Sequence, residues 1–92
     1  MATEDTYLLI YSYVEDMADR RGPHREAHLE RIRAEREAGH ITLAGALGSP
    51  PSGGAIVWQG VTPEDIQRFT AEDPYVVNGL VTAQRIERWN LV

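Results

Sequence analysis

Apolar residues gather in four runs of strand length: YLLIYSY at 7–13, ITLAGAL at 41–47, AIVWQ at 55–59 and VTAQRIERW at 81–89. Each is rich in β-branched or aromatic side chains and is bounded by charged residues or by glycine and proline, which predicts four strands. In the first run Tyr7, Leu9, Tyr11 and Tyr13 share one face, and Leu8 and Ile10 share the other, with Ser12 the exception. A strand apolar on both faces has to be covered on both. Two segments carry helical patterns instead. The first starts near Pro23, runs through HREAHLERIRAEREA and stops at Gly39, in a composition of Arg, Glu and Ala that favours helix. The second spans 63–72, with Thr62 as N-cap, Pro63 at the first helical position and Glu64 and Asp65 at the positive helix end. EDMADRRGP, ahead of the first helix, reads as a loop, and GSPPSGG at 48–54 as a flexible turn region.

The order β-α-β-β-α-β predicts an α+β domain of the ferredoxin-like split βαβ type. In that arrangement a four-stranded antiparallel sheet carries two helices on one face. The uncovered face is then apolar, and two such sheets packed face to face would cover it. A homodimer or larger assembly is therefore expected. Size points the same way: residues 1–92 make one small domain with a marginal core and no cysteine to cross-link it.

The first helix has a face that does not suit a simple core. At 100° per residue Leu29 and Ile32 lie on one side with Arg25, His28, Glu35 and Arg36, while Ala27, Ala34 and Ala38 lie on the other. Arginine stems can cover a sheet and reach water at its edges. His28 is shorter, adjoins Leu29 and stands one turn from Ile32, so it should be at least half-buried and in need of a partner. Satisfaction by a backbone carbonyl is the plain reading. His24, one turn earlier, gives an i, i+4 histidine pair without the glutamate spacing of HExxH or a third ligand, so no metal is expected. His40 reads as a solvated turn residue.

Composition removes several classes of chemistry. The chain has no cysteine and no lysine, its nine basic residues all being arginine, so thiol nucleophiles and Schiff bases are excluded. A net charge of −5 argues against nucleic acid as a partner. The arginines between 20 and 36 alternate with Glu26, Glu30, Glu35 and Glu37, the pattern of a solvated, salt-laced helix. No apolar run approaches a membrane span of about 20 residues, and MATEDTYLL lacks the basic and apolar regions of a signal peptide. A soluble, cytoplasmic protein with no membrane partner is the expectation.

AEDPYVVNGL at 71–80 holds a second candidate. Asp73 before Pro74 is a good N-cap for one further helical turn, closed by Gly79 in the left-handed conformation. The same acid could serve chemistry.

Taken together, RxxHL (Arg25, His28, Leu29), the LAG at 43–45, DPYVVNGL and a last strand ending in ERW resemble the YciI-like (YCII-related) proteins over nearly the whole chain. DP[YF]xxxGL is the more specific of the motifs. Ala46 stands where many members carry proline, and the 48–54 connection is short. The resemblance implies ferredoxin-like chains similar in fold to muconolactone isomerase, dimerising into an α+β barrel. It also implies a pocket with a catalytic pair, His28 and Asp73, acting in acid–base chemistry on small ring compounds without cofactor or metal. One branch of the family removes chloride from a chlorinated hydroxyhydroquinone. A carboxylate on one imidazole nitrogen would fix the tautomer and leave the other free to move a substrate proton.

On this reading Arg25, Tyr11, Tyr13 and Tyr75 are the candidates for holding a small anionic or phenolic substrate, with Trp58 and the 48–54 loop also shaping the pocket. Isomerisation, dehydrohalogenation, cyclisation or lactone chemistry on an aromatic or polyketide-like molecule would use these parts. So would cofactor-free oxygenation. The alternative from a different class is a non-catalytic ligand-binding or accessory domain, in which the pair is a buried polar lock.

Overall fold

The computed structural model describes residues 5–92; the first four residues of the stretch read above for a signal peptide lie outside them. Strands β1 (Thr6–Tyr13), β2 (Ile41–Leu47), β3 (Gly53–Gln59) and β4 (Val81–Trp89) form one sheet in the order β2-β3-β1-β4. All neighbouring strands are antiparallel. Helices α1 (Met17–Arg20), α2 (Gly22–Glu37), α3 (Pro63–Glu72) and α4 (Pro74–Val77) complete the chain. This is the expected ferredoxin-like α+β arrangement.

The core lies between the sheet and the two long helices. Leu9 and Tyr11 of β1, Ile56 and Trp58 of β3 and Ile41 of β2 pack with Ile32 of α2 and with Ile66 and Phe69 of α3. On the opposite face Leu8 stands across from Val57 and Ile10 across from Ala55, with Leu43 beyond Val57. Leu43 is 67% exposed, and the other four are half-buried.

Helix ends follow the chemistry of their caps. Asp65 N–H donates to Thr62 Oγ1 at 3.2 Å and Thr62 N–H to Asp65 Oδ2 at 2.9 Å, a reciprocal capping box that starts α3. Gly39 and Gly79 stand at positive φ, 82° and 73°, just past α2 and α4, as the left-handed stop requires.

Three expectations need correction. The segment ahead of α2 is not all loop, because Met17–Arg20 forms one helical turn. Met17 drives it: the side chain is fully buried with Tyr75 and Leu80 in a second apolar cluster, which contributes about 1.5–3 kcal/mol. A single turn leaves no periodicity to read. Strand β3 begins at Gly53 rather than residue 55. Gly53 and Gly54 pair with Ser12 and Tyr11, and a Cβ on Gly53 would collide with the Tyr11 carbonyl oxygen. Close backbone approach requires glycine there, however flexible the segment looks in sequence. His40, finally, is half-exposed and bonded, its Nδ1 lying 2.7 Å from Glu35 Oε2.

Candidate active site

Asp73 is the last residue of one helix and the first of the next. Pro74 cannot continue α3, so the chain turns extended at Asp73 (φ −66°, ψ 123°) and restarts as α4. The side chain caps α4, with Oδ1 accepting from Tyr75 N–H at 3.1 Å. Its carboxyl group is 0% exposed. A buried carboxylate is costly unless its lone pairs are met, and here they are. Oδ1 also lies 2.8 Å from His28 Nδ1, and Oδ2 accepts from the Tyr11 hydroxyl at 2.8 Å. A carboxylate only accepts hydrogen bonds. The proton in the His28 contact is therefore on Nδ1, and in the neutral imidazole Nε2 then carries the lone pair.

His28 is positioned from three sides. Ile32 packs one turn below it on α2, Asp73 holds Nδ1, and Tyr75 stacks on the imidazole with ring centroids 3.8 Å apart and planes at 9°. Tyr13 meets Tyr75 edge to face at 5.9 Å and 88°. Nε2 makes no hydrogen bond among the described residues, and His28, 7% exposed, shows its free edge to a pocket of about 350 Å³. The pocket runs between α2 and the β2–β3 half of the sheet. Tyr13, Tyr75 and Arg25 also line it, and its floor is Ala44, Gly45, Ala46 and Gly54. Gly54 matters individually, because a Cβ there would strike the Tyr13 hydroxyl.

Burial dominates the electrostatics of the phenols. It pushes Tyr11 far up, and the neighbouring Asp73 charge adds to the effect. Burial, followed by Tyr75 and Asp73, pushes Tyr13 up to about 12. Tyr75 is raised by burial, against which the positive charges of Arg21 and Arg25 act. All three remain neutral donors at ordinary pH.

The structure brings His28, Asp73, Tyr13, Tyr75 and Arg25 together, and it separates two others. Tyr11 is behind the pair rather than on the pocket wall, with its hydroxyl committed to Asp73. Trp58 lies at a different cavity with Phe69, ring centroids 4.9 Å apart. Its buried Nε1–H finds no acceptor among the described residues. His24 stays half-buried and outside the pocket lining. Among the described residues no three His, Cys, Asp or Glu side chains gather as a metal site, and no helix is long and apolar enough to cross a membrane. Missing from the sequence reading were Arg21, Arg33 and Arg36, which also line the pocket. Arg21, at the N-cap of α2, and Arg36 stand at i−4 and i+11 from Arg25 and so on its side of the helix, whereas Arg33, at i+8, lies about 80° round from it. Interleaved glutamates gave the arginines the pattern of a solvated surface.

Comparison with known proteins agrees with this fold. A solved structure of 5-chloro-2-hydroxyhydroquinone dehydrochlorinase from Burkholderia phenoliruptrix AC1100, in complex with 2,5-dihydroxybenzoquinone, superposes with a TM-score of 0.78 at 18% identity. The match covers 92% of this chain and 93% of that one. A search of curated protein sequences gave no match. The YCII-related domain matches residues 6–90, nearly the full length, and this chain belongs to the YCII-related family.

Proposed function

We propose that this protein is a small enzyme that uses His28 and Asp73 for acid–base chemistry on an aromatic or polyketide-like ring substrate. The observation that carries the proposal is the free Nε2 of a histidine whose other nitrogen is fixed by a buried carboxylate at the wall of a pocket. In that tautomer Nε2 is a base, and Asp73 supports the imidazolium that forms when it takes a proton. In an elimination Nε2 removes a proton from carbon, the C–H electrons become the new double bond, and the leaving group departs with its own pair. In an isomerisation, cyclisation or lactone reaction the same nitrogen returns the proton to another atom. These steps need only protein groups. Arg25, Tyr13 and Tyr75 would hold the substrate oxygens, and Tyr11 positions Asp73. The protein of similar fold is a dehydrochlorinase of a chlorinated hydroxyhydroquinone, which favours this class over oxygenation.

The working unit in this proposal is a homodimer that buries the apolar outer face of the sheet. A second reading rests on one observation, the triple hydrogen bonding of Asp73: the pair would be a polar lock in a non-catalytic ligand-binding or accessory domain. The two readings separate in His28→Ala and Asp73→Asn. Folded variants that lose turnover of a hydroxylated chloroaromatic by about 10²–10⁴-fold support catalysis. A lowered melting temperature with turnover unchanged supports the lock.

A further inference from the structure

The wall of the pocket is more positive than the rest of the molecule. Four arginines line it, Arg21, Arg25, Arg33 and Arg36, and no carboxylate does among the described residues. Arg33 is paired with Glu26 at 2.9 Å. The side chains of the other three make no ion pair or hydrogen bond with a described residue, whereas those of Arg20, Arg31, Arg68, Arg85 and Arg88 are all paired. In a chain of net charge −5 this concavity concentrates a field opposite to that of the whole protein, and such a field draws anions in.

The arginines flank His28 on both sides. Along α2, Arg25 precedes His28 by three residues, about 4.5 Å of rise, and Arg36 follows it by eight, about 12 Å. Arg36 in the last turn also complements the helix dipole. That role explains a cation at the helix end but does not require a pocket floor of Ala44, Gly45, Ala46 and Gly54, which leaves the space beneath the guanidinium groups open. The volume equals that of about a dozen waters at ~30 Å³ each, enough for a ring with a substituent.

From these positions we infer that the substrate of the proposed acid–base reaction carries a carboxylate remote from its reacting carbon. The carboxylate lies against Arg36, and the reacting end lies between His28 and Arg25. Guanidinium suits this role because its planar fork matches a carboxylate with two parallel hydrogen bonds. The inference rests on the pocket being the substrate site, as proposed above, and names the class of molecule it accepts: a hydroxylated ring acid in preference to a neutral hydroxylated ring.

Calorimetric titration of the full chain with gentisate and with hydroquinone, at low ionic strength, tests it. Gentisate should bind on the order of tenfold tighter, about 1.4 kcal/mol. Arg36→Met, which keeps the apolar stem at an exposed position, should abolish that preference and leave hydroquinone affinity unchanged, with circular dichroism reporting an intact fold. Equal affinities in the unmodified protein, no binding of either probe, or an unchanged preference in Arg36→Met would each overturn the proposal. The readout involves no turnover, so failure of the His28–Asp73 chemistry would leave the binding difference in place.

Discussion

Asp73 Oδ1 lies 2.8 Å from His28 Nδ1 across 45 residues of sequence, while the second carboxylate oxygen is held by Tyr11. The three side chains come from α2, the α3–α4 junction and β1, so the contact joins the helical layer to the centre of the sheet.

Removing the Tyr11 hydroxyl should therefore cost stability and weaken the site indirectly. Tyr11→Phe leaves Oδ2 buried without a donor, a penalty of about 1–3 kcal/mol. Denaturant unfolding should show that loss, and the histidine resonances should shift because the carboxylate beside Nδ1 is less firmly held. Unchanged stability would mean that Asp73 is solvated in a way its burial does not suggest.

This contact also shows how far the sequence could be read. A helix face with only Leu29 and Ile32 for packing marked His28 as anomalous, and Asp-Pro before a glycine stop marked Asp73 as a cap. Both signals are local, and local chemistry fixes them. The role of Tyr11 was not legible: its partner is 62 residues away, and a strand tyrosine gives no sign of which acid its hydroxyl will meet. The pocket arginines were hidden for the opposite reason. Local pattern matched a solvated helix well, and only the bare floor of β2 and β3 shows that Arg21, Arg33 and Arg36 face a cavity along with Arg25.

Gly54 sets the position of Tyr13. In Gly54→Ala the new methyl would occupy the place of the Tyr13 hydroxyl, forcing the ring into the pocket or out of its edge contact with Tyr75. Ligand affinity should fall by about tenfold or more, with a stability loss of about 1–3 kcal/mol from overpacking. A ligand titration and a thermal melt check the two effects separately.

Alkaline pH should destabilise the fold through the same ring. The Tyr13 phenol ionises near 10 when unfolded and at about 12 when folded, so between these values the native state holds more protons than the unfolded one. Its contribution is complete below pH 10 and is lost as pH rises toward 12. Tyr11, raised further, extends the loss upward. Across that range phenolate absorbance should rise as the melting temperature falls, and Tyr13→Phe should flatten part of the slope.

The outer face of the sheet offers a test of assembly. Leu43→Glu places a charge on the apolar surface formed with Val57 and Leu8. Light scattering should show the proposed dimer shifting to monomer, with the helix-side site still folded. If the variant keeps the mass of the unmodified protein, this face is not the interface.

The double role of Asp73 at the α3–α4 junction restricts how the family can vary in length. One residue inserted beside Pro74 would displace the carboxylate by up to about 3.8 Å, which is enough to break its contacts with both His28 and Tyr11. Gains and losses of residues should thus be excluded between Asp73 and Leu80 while point changes at exposed Val77 or Asn78 pass. The surface turn between β2 and β3, which holds no group of the pair, is free to lengthen or shorten. In this segment the fold protects length together with the identities of Asp73, Pro74, Tyr75 and Gly79.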